Sequence, residues 1–462
     1  MTATLARPAS PFRTEVAALW ELAWPMLVGQ IATVGMGVAD VAMTGHVSAD
    51  QLGAVSLGAS VWTIILVTVM GTMMAINTVV AHDAGAARFD KIAHAVRQAM
   101  WKGLGVGVLA FALTNLATLV FDHIGLTAAV NADASMFLHV ISLGMLPFAC
   151  YRALYGYTTS INQTKPVMVI ALAGLLLNVF LNWLLVFGNW GMPRLGAVGC
   201  AVSTAVGMWL MLAAMLLWIR SAVAYRETYP FTHWEWPNWR EIGSMLRLGL
   251  PIGVTYFAEV SAFGAVSLLL APFGVVQVSA NQIALNFSSL TFMVPLSFGI
   301  ALISRVGQAL GEGNPERARF VAWTGVRMSL AFAVASAVFI AVFRWQIARM
   351  YTSDPAVRAL AAQLLLLAAV FQLSDATQVA TSSAIRGYKV TRAPMQIQLI
   401  AFWGVSLPLG YVLGTAPQWL GFAPAVPMAA RGYWIGLVAG LTVAALLLSL
   451  ALRRLSRARL LR

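Results

Sequence analysis

Apolar residues run along this chain in long, nearly unbroken stretches, separated by short polar links where the charges collect. A helix needs about 20 such residues to cross a hydrocarbon core. Twelve spans are predicted on that basis, near 16–44, 52–81, 98–121, 134–158, 167–188, 196–219, 245–272, 278–304, 321–343, 357–385, 395–414 and 430–452. The period-two alternation of an outer-membrane barrel strand is absent. The pattern predicts an all-α integral membrane protein. Its first stretch holds Glu21 and Pro25 and lacks a small-residue cleavage site, so it reads as a retained helix and not as a signal peptide.

Composition strengthens this reading: 60% of the residues are hydrophobic and 10% charged, against about 25% charged in soluble domains. The net charge of +13 raises the question of nucleic acid, and the location of the charges answers it. With twelve spans and a cytoplasmic N-terminus, 24 of the 29 Lys and Arg residues fall on the inner side. Only Arg194, Arg344, Arg349, Arg358 and Arg431 fall outside. The positive-inside rule then predicts both termini in the cytoplasm and leaves no basic face to assign to DNA or RNA. The two cysteines, Cys150 and Cys200, lie in spans and read as small apolar residues.

The longest polar link, residues 220–244, carries Pro237 and three tryptophans and divides the spans six and six. The halves echo each other at an offset of 226: Pro25 on Pro251, Gly85 on Gly311, Lys91 on Arg317, Gly188 on Gly414. Six is even, so both halves insert with one orientation. This predicts parallel repeats about an axis along the membrane normal, with a binding site between or within them. The expected organisation is an N-terminal lobe (1–219), a cytoplasmic linker (220–244), a C-terminal lobe (245–452) and a basic tail (453–462). Prolines 25, 147, 251, 295 and 408 interrupt spans, and the matched pair Pro25 and Pro251 suits a bend used in alternating access.

Most of the 16 acids sit in links or at span ends. Three do not: Asp40 in "GMGVADVAMTG", Glu259 in "TYFAEVSAFG" and Asp375 in "VFQLSDATQV". A carboxylate at a helix centre costs roughly 2.5–3.5 kcal/mol on insertion scales, and three cost together on the order of 8–10 kcal/mol if ionised and unpaired. No basic residue is expected on the same helix face near any of them. One buried acid can stay protonated for structural reasons. Three point to a proton, a sodium ion or a cationic substrate, each of which neutralises the charge when bound and exposes it when released. Glu259 is 13 residues before the outer end of its span, roughly 20 Å, and Asp375 lies at similar depth, so both can face one cavity of the C-terminal lobe. Asp40 lies about five residues from an outer end. Asn178 and Asn182, at i and i+4 on one face, have comparable depth, so Asp40, Asn178 and Asn182 form a candidate N-terminal site.

Six histidines show no metal-ligand spacing and no Walker sequence is present, so metalloenzyme chemistry and nucleotide hydrolysis lack carriers. Of the 21 methionines and the aromatics, those that line a cavity would suit bulky aromatic cations.

These residues resemble the multidrug and toxic compound extrusion (MATE) transporters, specifically the NorM-like branch. The resemblance covers nearly the whole chain, through "WPMLVGQIATVGMGVADVAMTGH", the "AGAARFDK" and "LGEGNPERAR" pair, "YGYTTSINQTKPVM", "NVFLNWLLVFG" and "IRGYKVTRAPM". It implies two six-helix lobes around a V-shaped cleft and exchange of sodium or protons for cationic drugs and dyes, with no cofactor. It further implies a cation site at Glu259 and Asp375 in the C-terminal lobe, and a second at Asp40, Asn178 and Asn182 in the N-terminal lobe. Gln282 and Phe371 would line the substrate cavity. Phe371, one turn before Asp375, stands where relatives can carry tyrosine, which leaves that site one hydroxyl short while keeping a ring for a cation–π contact. The expectation is a monomeric, cation-coupled multidrug antiporter of the inner membrane, surrounded by lipid. Two rivals remain. A flippase for a lipid-linked oligosaccharide would carry more basic residues at membrane depth, and a membrane-embedded lipid enzyme would need a nucleophile–base or metal constellation near an interface.

Overall fold

The computed structural model describes residues 11–123, 128–418, 421 and 424–460. Arg7 and Arg462, both counted on the basic side above, lie outside the described residues. The N-terminal half contains α1 (Pro11–Gly45), α2 (Ala49–Met73), α3 (Ala75–Gly85), α4 (Phe89–Ala117), α5 (Ala128–Ser142), α6 (Met145–Ser160), α7 (Lys165–Leu185) and α8 (Ala197–Ser221). The C-terminal half contains α9 (Trp239–Leu270), α10 (Val275–Gly311), α11 (Pro315–Tyr351), α12 (Pro355–Gly387), α13 (Arg392–Leu399), α14 (Leu407–Thr415) and α15 (Ala430–Leu460). Among the described residues, eleven helices are long and apolar enough to span a membrane. The bent pair α5 and α6, turning 43° at its break, makes the twelfth span.

Short polar links end these helices where a side chain satisfies the free backbone N–H groups. Asn238 accepts from the N–H groups of Arg240 and Glu241 at the start of α9. Asp354 accepts from those of Ala356 and Val357 at the start of α12, just before a proline that has no N–H to satisfy.

The two six-span lobes meet at the end of the molecule that carries both termini. There Gly85 of α3 and Gly311 of α10 bring the helix backbones together. A Cβ at Gly85 would fall 2.0 Å from the Gln308 carbonyl oxygen, and one at Gly311 would fall 2.1 Å from that of His82. Gly85 and Gly311 are one repeat apart, and so are His82 and Gln308, so each half makes the other's contact. The His82 Nε2–H donates to the Gly387 carbonyl at 2.9 Å, and Gln308 Nε2 donates to that of Ser160 at 2.8 Å, one residue off the same register. Arg305 clasps Glu15 with two bonds of 2.9 and 2.7 Å. This is the self-complementary contact of a two-fold axis running along the helices.

Towards the opposite end the lobes part. Ser56, Ser60 and Thr63 on α2 and their repeat partners Gln282, Asn286 and Ser289 on α10 form two exposed polar stripes. Both stripes run down into the seam, at Gly71 packed on Gly253 and at Phe298 beside Trp20. They therefore line the space between the lobes. The apolar core is less symmetric. The N-terminal core continues across the seam into the termini-side halves of α10, α11 and α12, whereas the remainder of the C-terminal lobe packs around Phe371, Phe402, Tyr433 and Trp434.

The 220–244 link lies along α4. Glu235 accepts from Arg97 at 2.5 Å, His94 at 2.7 Å and His233 at 2.9 Å. Mainly through the Arg97 bond, its carboxyl is held down at a pKa of about 2.

Candidate functional site

In the C-terminal lobe, α9 and α12 carry Glu259 and Asp375 into one buried region. Asp375 is 1% exposed and its Oδ1 accepts from Gln378 Nε2 at 3.2 Å, one turn further along α12. Gln378 in turn accepts from Gln398 of α13. Glu259 accepts no hydrogen bond from a described residue and opens onto a small cavity shared with Thr255, Tyr256, Gln378, Ser382 and Arg386. The charges of Asp375 and Arg386 both act on it. Neither acid is in a salt bridge among the described residues. The buried Ser382 hydroxyl and the Gln398 Oε1 also lack partners, so the site holds unused oxygen donors and acceptors around two carboxylates. That is a set suited to a proton or a small hard cation.

The expectation that no base lies on the same helix face near a deep acid left out neighbouring helices, and Arg386 of α12 comes to Glu259 of α9 from one of them. Arg386 is three helical turns beyond Asp375, about 16 Å at 1.5 Å per residue, and its stem reaches back to place the guanidinium 5.5 Å from the Tyr256 ring centre. Counting along a single helix face underestimates what a long side chain can reach from the next helix.

In the N-terminal lobe, α1 and α7 bring Asp40, Asn178 and Asn182 together. Asp40 Oδ1 accepts from Asn182 Nδ2 at 2.6 Å and Asn178 Nδ2 at 3.1 Å. Its Oδ2 accepts from the Thr204 hydroxyl of α8 at 3.1 Å, and the Cys200 thiol lies against the same carboxylate. Cys200 is therefore more than apolar filling. Cys200 and Thr204 are spaced i and i+4 in "GCAVST" and present one polar edge, a signal as strong as that of Asn178 and Asn182 and passed over in the sequence reading. Asn182 Oδ1 has no partner.

Of the two remaining candidates, Gln282 is exposed, while its neighbour Asn281 is buried and accepts from Trp434 Nε1 at 3.0 Å. Phe371 is 3% exposed and packs edge-on against Phe263 and Trp434, with ring centres 6.1 and 5.7 Å away. It sits inside the aromatic cluster one turn from Asp375 and not on the cleft wall. Basic groups are buried as well as acidic ones. Lys102 donates to the Thr72 carbonyl at 2.9 Å, and Arg152 of α6 lines a second cavity, within the N-terminal lobe.

Comparison with known proteins agrees with this architecture. The family model described as MatE matches twice, over residues 25–184 and 251–412, starting points that are themselves 226 residues apart. The chain is 41% identical over 446 residues to multidrug resistance protein PmpM of Pseudomonas aeruginosa, covering 96% of this chain and 92% of that one. It is 37% identical over 446 residues to multidrug resistance protein NorM of Vibrio vulnificus, covering 96% and 97%. Among solved structures, the eukaryotic MATE transporter AtDTX14 superposes with a TM-score of 0.87 at 21% identity, over 97% of this chain and 98% of that one. A MATE transporter of the MOP superfamily in an outward-facing conformation superposes with a TM-score of 0.86 at 19% identity, over 96% of each chain. Two matched repeats, full-length similarity to NorM-type proteins and a shared fold together establish that this chain belongs to the MATE family of transporters, in its NorM-like branch.

Proposed function

We propose that this protein is a multidrug efflux antiporter of the inner membrane that exports cationic, amphipathic drugs and dyes in exchange for sodium ions or protons. Relatives named multidrug resistance proteins support the export reading. The observation that carries the coupling is the burial of Glu259 and Asp375 in one region without an ion-pair partner. An ion that binds there neutralises charge that is costly at membrane depth, and its release restores that charge. Drug and ion that bind alternative states must each weaken the other's binding, by the same factor.

The side with both termini carries most of the Lys and Arg residues and is assigned to the cytoplasm by the positive-inside rule. The cleft between the polar stripes then opens outward, and the glycine seam is the closed cytoplasmic gate. Asp40, Asn178 and Asn182 form a second, outer proton or ion site. Gln282 offers a polar contact to a substrate in the cleft. Phe371, behind Asp375, acts on the cation site through its ring and not by touching substrate. A monomer holds all of these groups, with lipid around it.

The test is efflux of ethidium from proteoliposomes under an imposed sodium gradient or proton gradient, each alone. Efflux driven by at least one gradient is expected. Efflux driven by neither would overturn the coupling.

A further inference from the structure

We propose that a groove between the last turn of α8 and the 220–244 link is a binding site for the headgroup of an anionic phospholipid, held by Arg220 and Arg226.

Three observations carry it. The first is the charge. The groove measures about 560 Å³ and is lined by Arg220, Arg226, Tyr229 and Phe231, with Ile219 and Ala222 beneath them. Two guanidiniums line it and no acid does. Neither arginine is in a salt bridge among the described residues. The acids of the link serve elsewhere: Glu235 is held by Arg97, His94 and His233, and Glu227 lines a separate groove with Glu312. Two like charges in one groove call for an anion, and the guanidinium fork fits a phosphate through paired N–H groups. Tyr229, its ring edge-on to Phe231 at 5.9 Å, brings a phenol that can donate to the same ligand.

The second observation is the surface that leads to the groove. Val206, Leu210, Ala213, Leu217 and Arg220 are all exposed on α8. Their spacing alternates four and three, so they form one face of the helix. An apolar stripe thus ends on an arginine. From Val206 to Arg220 it runs about 21 Å at 1.5 Å per residue, enough to cross one leaflet of about 15 Å. An acyl chain can lie along the stripe while its phosphate sits at Arg220. A free phosphate would have no use for such a path.

The third is the depth of the groove. Trp234, Trp236 and Trp239 of the adjoining chain are 70%, 77% and 77% exposed, and Trp234 is braced edge-on against Trp101 of α4 at 5.4 Å. Exposed indoles at the end of a span mark the level of the lipid headgroups. The groove therefore lies where a lipid phosphate is found. The choice of the cytoplasmic leaflet rests on the topology proposed above. In detergent both ends of the molecule are accessible, so the binding test does not depend on it.

Binding is read by native mass spectrometry of the purified full-length protein in a non-ionic detergent, titrated with phosphatidylglycerol, phosphatidylcholine or inorganic phosphate. The first phosphatidylglycerol should bind at least about tenfold more tightly than phosphatidylcholine. Arg220→Gln combined with Arg226→Gln should weaken it about 25-fold, at about fivefold for each arginine beside an anionic headgroup. Arg453→Gln combined with Arg457→Gln removes equal charge from the tail and should change it less than about twofold, since exposed charges away from the groove are screened.

Equal affinity for the two lipids would overturn the site. So would equal losses in the two paired variants, which would reduce the effect to diffuse surface charge. Displacement of phosphatidylglycerol by an equal concentration of inorganic phosphate would give the groove to a free anion and overturn the lipid assignment. Should the Arg220 and Arg226 pair fail to accumulate, Arg226→Gln alone changes only the link and should still cost about fivefold. An unchanged affinity in that variant would overturn the proposal.

Discussion

Asp40 and Glu259 are both carboxylates in apolar helices, one in each lobe, and their surroundings differ in kind. Asp40 is five residues from the end of α1 and both its oxygens accept from neighbouring side chains. Glu259 lies near the middle of α9 and accepts no hydrogen bond from a described residue. A carboxylate with its lone pairs filled gains from being ionised and stays where its donors hold it. One that is buried without donors is poised to take up a cation. The sharper coupling group is therefore expected in the C-terminal lobe, and the N-terminal acid combines ion uptake with holding α1 to α7 and α8.

The largest effect should follow from neutralising the poorly satisfied acids. Glu259→Gln and Asp375→Asn should each reduce gradient-driven efflux to the leak of empty vesicles, with normal abundance in the membrane, because removing a deep charge eases insertion. Normal efflux in both would erase the contrast between the lobes. Asp40→Asn should have an intermediate effect. Hydrogen bonds to a charged group are worth about 1.5–3 kcal/mol each, and an asparagine keeps one acceptor while the Thr204 hydroxyl can reverse. Efflux should slow several-fold while ethidium binding at equilibrium survives. Full efflux would make Asp40 a purely structural tie.

The smallest effect concerns the linker, whose Glu235 is clasped by Arg97 and His94 of α4. Arg97 holds the Glu235 carboxyl near a pKa of 2, below its ordinary 4.5. The clasp therefore contributes fully above about pH 4.5 and is lost as pH falls toward 2. Glu235→Gln should speed tryptic cleavage at the exposed Arg226 and Arg240 at neutral pH, with efflux nearly unchanged. Equal cleavage rates would mean that the linker is held by other contacts, such as Trp101 on the Glu235 carbonyl.

The spans, the six-and-six division and the three deep acids were legible in the sequence, because each rests on hydrophobicity along one helix. The joining of Asp40 to Asn178 and Asn182 followed from depth, since all three lie near the same end of their helices. The partners supplied by other elements were not legible. Arg386 reaches Glu259 from α12, and Thr204 and Cys200 reach Asp40 from α8, and no periodicity in one helix announces which neighbour it will face. The breaks were also hidden: α2 ends at Met73 and α3 resumes at Ala75, and a π-helical turn at Ile400–Ser406 joins α13 to α14. The sequence reading placed Gln282 in the cavity and missed Asn281, because adjacent residues on a helix point about 100° apart and only packing decides which faces the core.

The mutual contact of Gly85 and Gly311 has a consequence for how such a molecule comes to hold unlike cavities. Halves that meet in this way have the geometry of a symmetric dimer whose subunits have been fused. In a true dimer of identical chains, every change to one wall is copied on the other. An arginine at the position of Arg152 would face a duplicate arginine, and an acid at that of Glu259 would face a duplicate acid. Fusion through the 220–244 link removes that constraint. Each copy is free to change its own charge while the shared glycine contact keeps the two in register. A difference in charge between the copies, such as Glu259 where the other half has Thr33, is open to a fused pair and closed to a pair of identical subunits.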